Sequence, residues 1–423
     1  MPLRIVYPIC CGVDVHKRFL VATIAKTNEK NITEYKTESF PTLNSGLAAF
    51  RTWLVEHKCE HICMESTGKY WIPIYNVLEE AGLHVVLTHP KYVRAIKGQK
   101  TDKKDSKWIA DLFKHDLIRS SIIPPKEFRA MREVARYRTK LVQMRSSEKN
   151  RYQNCMTVSN IGLGNILSDS LGMTSTRIID YLLTSPEIDE EVVKGYIHRN
   201  VKASPEEIMD AVRDCKIEID QQFKLRESRG HMEYLNAMIK RTEKALRILI
   251  EPHKEIIKHL AGMPGITELS ASLIIAEIGV DMSLFDTSKS LVAWAGLSPT
   301  NNESAGKKKS VRVSKAGKYL KPIMVQCANA AVKDKKNPYF GIKYEGIKAR
   351  RGSKKAIIAI ARMMLTCIYN MIDTGEVFNP TDYDEVVGSN RVKKEITLTD
   401  DQAIEFLAAQ GYDISNLRKP PPD

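Results

Sequence analysis

The chain has 423 residues, of which 43% are hydrophobic and 27% are charged, and its net charge is +14. This apolar fraction is sufficient for packed cores and excludes a largely disordered chain. No apolar run approaches the ~20 residues of a membrane helix, and the N-terminal residues lack the pattern of a secretory signal, so we expect a cytoplasmic protein without membrane contacts. The positive excess indicates a polyanionic partner, most often nucleic acid.

The eight cysteines are scattered without a CxxC pair, which indicates reduced thiols rather than a disulfide framework. Two histidines and two cysteines alternate in the segment HKCEHIC (57–63) and would share one face of a strand. Four ligands along one strand cannot surround a tetrahedral zinc ion. We therefore interpret these cysteines as buried thiols.

Residues 1–125 predict an α/β domain. Strands are expected at 9–15, 19–26 and 33–39, and helices at 47–57 and 70–82 alternate with strands at 61–65 and 83–89. An antiparallel meander extended by parallel βα units is the order of a ribonuclease-H-like fold. A helix that begins at Thr101 follows, and Pro124-Pro125 marks the end of the domain.

The remaining chain is expected to be mainly helical. In the middle region, 126–257, two basic helical stretches at 126–155 and 205–255 resemble arms that pair or dimerise as a coiled coil, with a small helical insertion between them. In the C-terminal domain, 258–378, GMPGITELSASLIIAEIG resembles half of a helix-hairpin-helix, whose backbone N–H groups contact phosphates. A polar tail covers 379–423.

Four acidic residues form the strongest chemical pattern. Asp14 lies in the apolar strand CGVDVHK, and Glu65 ends the apolar strand HICME. Asp102 and Asp105 are three residues apart at a helix start and share one face. Each acid alone has a structural explanation, such as a helix cap, but phosphoryl transfer by two metal ions requires carboxylates from several elements. We therefore expect the four acids to meet and to bind a pair of Mg²⁺ ions.

Clustered basic residues predict contacts with a phosphate backbone. They are Lys97, Lys100, Lys103, Lys104, Lys307, Lys308, Lys309, Arg312, Lys315, Lys318, Arg350 and Arg351. Segment 333–356 also interleaves Tyr339, Phe340 and Tyr344 with Lys and Arg. These rings are suited to stacking on unpaired bases, but core aromatics beside a solvated basic face explain the pattern equally well.

Several segments resemble the DEDD-type insertion-sequence transposases, the IS-one-ten family. CGVDVHK, CMESTGKY and KTDKKDSKWIADL are similar to that family's catalytic segments. MPGI, SASLIIAEIG, LVAWAGLSPTNNESAG and VSKAGKYLKPIM are similar to its second, transposase-specific domain. The two matches cover about 8–120 and about 258–375, in the family's order.

The resemblance implies a RuvC-like N-terminal domain and a DNA transposase or recombinase of a mobile element. It makes the four acids the metal-binding catalytic tetrad, and it makes Ser304, in a segment predicted as a loop, the nucleophile of a covalent phosphoserine–DNA intermediate. It further implies donor and target DNA, a structured bridge RNA as guide, and a homo-oligomer, dimer or tetramer, with composite active sites. The implied location is the prokaryotic cytoplasm, at the nucleoid during activity.

Three other functions fit parts of the sequence. A RuvC-like, metal-dependent endonuclease would cut structured DNA by hydrolysis and leave no covalent adduct. An RNA-binding architectural protein without catalysis is disfavoured because all four acids are present. A sugar-kinase-like ATPase also carries a buried Asp in its first strand, but the further phosphate loops of that fold are not found in this sequence.

Overall fold

The computed structural model describes residues 3–66, 68–93, 101–185, 187–299, 302–304, 307–310, 313–391 and 400–411. Packing divides the chain into two compact units, Met1–Pro124 and Pro125–Asp423. The first unit contains a mixed sheet with flanking helices, and the described part of the second is helical apart from one short hairpin. The predicted α/β plus α layout is therefore confirmed.

The first unit is built on a five-stranded sheet. Its strands are β1 (Ile9–Val15), β2 (Phe19–Thr27), β3 (Thr33–Pro41), β4 (His61–Glu65) and β5 (His84–Thr88). Their spatial order is β3-β2-β1-β4-β5. β1, β2 and β3 form an antiparallel meander, and β4 and β5 extend it in parallel from β1. This confirms the predicted topology, including the neighbouring positions of β1 and β4.

Helices cover both faces of this sheet. They are α1 (Asn44–Glu56), α2 (Trp71–Glu80), α3 (Pro90–Val93) and α4 (Asp102–Lys114). Because side chains alternate along a strand, Cys11 and Val13 of β1 pack in the core with α1 and α2, whereas Cys10 packs in the core with α4. Cys59 and Cys63 are buried in different cores, one on each face, as free thiols. This agrees with their interpretation as buried thiols.

The second unit begins with a long antiparallel helix pair and the insertion between its two helices. The helices are α5 (Lys126–Val158), α6 (Leu163–Ile166), α7 (Met173–Leu182), α8 (Glu190–Gly195), α9 (Pro205–Asp210) and α10 (Ile219–Ile250). α5 packs along α10 through a core that includes Leu141, Leu235 and Ile239. The two arms therefore pair within one chain, as one of the two predicted alternatives.

The predicted second arm, 205–255, is wrong in extent. Ser204 begins the separate helix α9 with a capping box, in which its hydroxyl accepts a hydrogen bond from the Glu207 N–H. The chain then leaves helical geometry, with Asp214 at a φ of +57°, and the arm helix begins only at Ile219. Residues before Ile219 instead pack in the small core of the insertion, with Ile178, Val193 and Ile208.

The C-terminal part is a helical assembly that carries a hairpin. Its elements are α11 (Lys254–Ala261), α12 (Glu268–Ile278), α13 (Ser288–Trp294), β6 (Asn302–Ser304), β7 (Lys307–Ser310), α14 (Leu320–Ala331), α15 (Tyr339–Arg351), α16 (Ser353–Thr374), α17 (Tyr383–Arg391) and α18 (Asp400–Ala409). By length and composition α16 is apolar enough to cross a membrane. It packs against α11, α13, α14 and α15, which is the arrangement of a core helix.

Candidate active site

Asp14 and Glu65 lie side by side at the carboxyl ends of the neighbouring strands β1 and β4. Val13 of β1 is in register with Met64 of β4, so the next residue of each strand is one of the two acids. Neighbours in register on parallel strands point to the same face. That face is the one covered by α4, because Cys63, two residues before Glu65, packs in the core with α4.

Helix α4 reaches the carboxyl ends of these strands because it packs directly on β1. A Cβ atom at Gly12 would lie 2.2 Å from the carbonyl oxygen of Ser106 and 2.3 Å from the backbone nitrogen of Ala110. Only glycine allows the two backbones to approach this closely. Beneath the helix, the buried hydroxyls of Ser106 and Thr23 share a hydrogen bond of 2.7 Å. The glycine and this hydrogen bond fix the depth of α4 on the sheet.

The first turn of α4 carries Asp102 and Asp105. Thr101 is the N-cap, and its hydroxyl accepts a hydrogen bond from the backbone N–H of Lys104, as the sequence predicts for a helix that begins at Thr101. The cap and the contact of α4 with β1 together direct this turn towards the carboxyl end of β1.

Asp14, Asp102 and His16 form a candidate cation-binding group, and His16 is a residue that the sequence prediction missed. One ligand atom from each of the three lies within 4.8 Å of the others. The His16 Nε2 atom is 3.3 Å from Oδ2 of Asp14 and 3.3 Å from Oδ1 of Asp102. This nitrogen is buried, and within the described part of the chain it has no hydrogen-bond partner of good geometry. Two carboxylates and an unsatisfied nitrogen around one point fit a bound divalent cation.

Electrostatics link all four predicted acids. Burial raises the pKa of Asp14 above its usual range, and the imidazole of His16 opposes this effect. The negative charges of Asp102, Asp105 and Glu65 raise the pKa of Asp14 further. The charges of Asp102, Asp105 and Glu65 therefore lie near enough to Asp14 to act on its carboxyl group. Of the four acids, Asp14 and Asp102 belong to the close group with His16. Asp14 is buried, whereas Glu65, Asp102 and Asp105 are partly exposed. A buried carboxylate near other negative charges is unfavourable without a counter-ion, and a divalent metal would provide one.

Ser304 lies in the second unit. The segment around it, predicted as a loop, is instead a short antiparallel ladder in which Ser304 pairs with Lys307 and Asn302 pairs with Ser310. An isolated bridge between Pro299 and Val313 continues the ladder towards the helical body. The predicted nucleophile is therefore placed on a β-hairpin.

The predicted basic contacts fall in several places. Lys103 and Lys104 are exposed in the first turn of α4, beside the acids. Lys315 and Lys318 are exposed after β7, and Arg350 and Arg351 are exposed at the end of α15. Lys307, Lys308 and Lys309 belong to β7. Lys97, Lys100 and Arg312 lie outside the described residues.

The aromatic residues of segment 333–356 favour the core interpretation. Tyr339 is 6% exposed and Phe340 is fully buried, and the two rings pack with Phe378. The Tyr339 hydroxyl donates a hydrogen bond of 2.7 Å to Asp382. Tyr344 is half-buried. Tyr339 and Phe340 are therefore not available for base stacking.

His16 could have been found from the sequence. It follows Asp14 by two residues in CGVDVHK, a spacing that keeps two side chains on one face of an extended segment. Gly12 precedes Asp14 by two residues and shares that face, but its role depends on the approach of α4, which the sequence does not reveal.

Comparison with known proteins identifies the chain's relatives. Residues 11–160 match the DEDD_Tnp_IS110 family, described as "Transposase", and residues 257–345 match the family described as "Transposase IS116/IS110/IS902 family". The chain is 24% identical over 329 residues to a "Probable family 20 transposase" of Pseudomonas aeruginosa, which covers 75% of this chain and 86% of the relative. It is 26% identical over 128 residues to the "Putative transposase y4pF/y4sB" of Sinorhizobium fredii, which covers 29% of this chain and 33% of the relative.

The two family matches together span more than half of the chain. The first contains the segments with the four acids and His16, and the second contains the hairpin with Ser304. The order of the two matches is also the order of the segments whose resemblance the sequence suggested. The chain thus belongs to the IS110 (IS-one-ten) family of transposases, enzymes that cut and rejoin DNA.

Proposed function

We propose that this transposase moves a mobile element by exchanging DNA strands at a divalent-metal site formed by Asp14, Glu65, Asp102 and Asp105. The observation that carries this proposal is the convergence of two strand ends and one helix start on Asp14, whose pKa is raised by burial and by the other three acids. Hard oxygen ligands at this density favour Mg²⁺, acting as a pair. The order β3-β2-β1-β4-β5 supports a RuvC-like, ribonuclease-H-like fold for this unit.

The metal ions would stabilise the charge that develops on the phosphate during transfer. The side chains of the chain itself have separate roles. The four carboxylates would hold the ions, and His16, whose Nε2 atom lies 3.3 Å from an oxygen of Asp14 and of Asp102, would add a nitrogen ligand. Exposed Lys103 and Lys104 would hold the DNA backbone next to them.

Ser304 is the proposed nucleophile. Its hydroxyl oxygen would form a bond to the scissile phosphorus while the bond from phosphorus to the leaving deoxyribose oxygen breaks. The serine proton would leave to a base, and the leaving oxygen would take up a proton. The phosphoserine ester keeps the energy of the phosphodiester, so the hydroxyl of a new strand can reverse the step and rejoin DNA without a further energy source. The pairing of Ser304 with basic strand β7 supports this role.

A guide RNA and an oligomer complete the proposal. The net charge of +14 and the exposed basic end of α15 suit a structured RNA in addition to donor and target DNA. The α5–α10 pair exposes large apolar side chains, namely Tyr137, Met144, Tyr234 and Ile248. Such side chains support contacts between arms of different copies, in a dimer or tetramer with composite active sites. The expected location is the cytoplasm, together with the DNA.

A covalent adduct tests the proposed chemistry. Purified protein with its co-purified RNA, labelled DNA of the element end and Mg²⁺ should give a protein–DNA band that survives denaturation. Ser304→Ala should abolish the band, and Ser310→Ala on the partner strand should keep it. Cleaved DNA without any adduct would indicate the hydrolytic endonuclease instead, and an adduct that persists in Ser304→Ala would exclude this serine.

Sequencing the co-purified RNA tests the guide. We expect one enriched structured RNA, encoded beside the gene in its element. Random cellular RNA, or strand exchange that is unaffected by nuclease removal of the RNA, would contradict RNA guidance.

A further inference from the structure

A buried carboxylate joins the arm to the C-terminal helices. Glu277 lies in α12 and its side chain is 3% exposed. Arg136 of α5 donates two parallel hydrogen bonds to its two carboxylate oxygens, each 2.8 Å long. Arg132, one turn earlier, donates to the Glu277 backbone carbonyl near the end of α12. A bidentate pair of this kind fixes the orientation of the two side chains as well as the distance between them.

The same two arginines contact aromatic rings on both sides of the Ser304 hairpin. The Arg136 guanidinium lies 4.6 Å from the ring centre of Tyr319, and the Arg132 guanidinium lies 5.9 Å from that of Trp294. Trp294 ends α13 just before the chain enters the hairpin, and Tyr319 directly precedes α14 just after the chain leaves it. The arm thus contacts both flanks of the segment that carries Ser304.

The chain forms a backbone crossing between these two rings. A Cβ atom at Gly296 would lie 2.3 Å from the carbonyl oxygen of Ala316, and a Cβ atom at Gly317 would lie 1.9 Å from that of Ala295. Both glycines have positive φ, +67° and +68°. The two segments that flank the hairpin, 295–296 and 316–317, therefore cross with no side chain between their backbones. We call these two segments the stem of the hairpin. The crossing thus joins the two chain segments that carry Trp294 and Tyr319, whose rings lie beside Arg132 and Arg136.

We propose that Arg132, Arg136 and Glu277 are positioning residues that hold the stem of the Ser304 hairpin, through Trp294 and Tyr319, in a fixed place on the arm helix α5. The inference rests on the proposed role of Ser304. A bound partner that shifts or bends α5 would thereby move the serine. A displacement of about 1 Å between reacting groups can slow a reaction by about 100-fold, so small shifts would matter.

A purely structural role is the competing explanation. Burial lowers the pKa of Arg132 to about 10, and the charge of Glu277 opposes this effect. Removal of Glu277 would therefore leave buried positive charge uncompensated and could unfold the unit. The decisive variant is instead Tyr319→Leu, which removes the ring from Arg136 and leaves the Arg136–Glu277 pair intact. Tyr319→Phe keeps the ring and is the matched control. Arg136→Lys, which keeps the charge but loses the planar fork, is the second test variant.

Two measurements on the full-length protein decide the question. The first is the single-turnover rate of adduct formation at saturating DNA, together with DNA affinity. We expect Tyr319→Leu and Arg136→Lys to slow the adduct by about 10- to 100-fold with affinity unchanged, and Tyr319→Phe to react like the parent. The second is amide hydrogen exchange, which needs no activity. We expect faster exchange in 295–299 and 313–318 of Tyr319→Leu, and unchanged exchange in α5 and α12.

The outcomes separate this inference from the proposed function. Full adduct rate and unchanged exchange in both test variants would overturn the positioning role and leave Ser304 as nucleophile. Faster exchange throughout α5 and α12 would show that Arg132, Arg136 and Glu277 only stabilise the packing of these helices, and would also overturn the inference. An adduct that persists in Ser304→Ala would reject the nucleophile, and the exchange data would still decide whether Tyr319 fixes the stem. If Tyr319→Leu fails to fold, Arg136→Lys with the same two measurements decides.

Discussion

Asp14, a proposed metal ligand, is a buried carboxylate in a group of acids. Its side chain is 12% exposed, and its neighbours include three further acids. Burial and these charges raise its pKa, which means that folding favours the neutral carboxyl. At neutral pH the metal-free fold therefore carries an unfavourable charge that a bound cation would offset.

We predict that Asp14→Asn stabilises the metal-free protein at neutral pH. Ionisation of Asp14 lowers the free energy of unfolding of the parent as the pH rises through the raised pKa of this residue. The variant has no ionisable group at this position, so this loss is absent. Mg²⁺ at about 100 times its dissociation constant should add about 2.7 kcal/mol to the parent and almost nothing to the variant. Thermal unfolding with EDTA or with Mg²⁺ measures both effects. An equal gain from Mg²⁺ in both proteins would remove Asp14 from the site.

The close approach of α4 to Gly12 leads to a second prediction. Gly12→Ala should push α4 away from β1, because the new methyl group would lie 2.2 Å from the Ser106 carbonyl oxygen. We expect a loss of about 1–3 kcal/mol in stability and a loss of cleavage of about 100-fold, since Asp102 and Asp105 move with the helix. Gly230→Ala in α10 is the control, because a Cβ atom there meets nothing within 4 Å. Normal cleavage by Gly12→Ala would show that α4 does not set the site.

The arm, formed by α5 and α10, is an intramolecular helix pair with a buried side and an exposed side. Leu235 of α10 is 1% exposed, whereas its neighbour Tyr234 is 58% exposed. The apolar spacing of the two helices is visible in the sequence, but the buried positions cannot be distinguished there from the exposed ones, because both kinds carry apolar side chains.

Leu235→Ala should therefore destabilise the arm by about 2–5 kcal/mol, because it leaves a cavity between α5 and α10. Tyr234→Ala should change the free energy of unfolding by less than about 0.5 kcal/mol. Amide hydrogen exchange within α5 and α10 reports the difference. Tyr234→Ala should instead weaken self-association, measured by sedimentation, if the exposed side joins copies of the chain. Equal effects of the two variants on exchange would contradict this assignment of sides.

For the whole molecule, the charge of +14 predicts a strong salt dependence. A protein with about 6–10 phosphate contacts loses about 10³–10⁵ in affinity between 50 and 200 mM salt, because binding releases condensed counterions. Fluorescence anisotropy with labelled DNA or RNA measures the slope. A nearly flat dependence would contradict a backbone-dominated interface.

The division of the proposed catalytic groups between two units predicts complementation. Asp102 lies in the first unit and Ser304 in the second, so an oligomer can combine an intact tetrad from one copy with an intact serine from another. Ser304→Ala and Asp102→Ala should each be inactive, and a mixture should regain strand exchange. The control is mass-spectrometric proof that the two variants form mixed oligomers. If these form and remain inactive, each active site belongs to a single chain.

The sequence alone was sufficient to predict the strands of the first unit and the four acids of the proposed site. Alternating apolar residues defined the strands, their order predicted that β1 and β4 are neighbours, and the ends of these strands carry Asp14 and Glu65. Such features are local or follow from simple rules of topology, so they can be inferred without coordinates. The family motifs added Ser304, which no local physical property distinguishes from other serines nearby.

Tertiary structure alone decided the features that depend on contacts between distant segments. The place of His16 between Asp14 and Asp102 depends on α4, which approaches β1 only through Gly12. The burial of Tyr339 depends on its packing in the C-terminal part, and the link from Glu277 to the hairpin stem depends on α5, about 140 residues earlier in the chain. Local propensities and motif spacing carry no information about such contacts, because these are set by how whole elements pack.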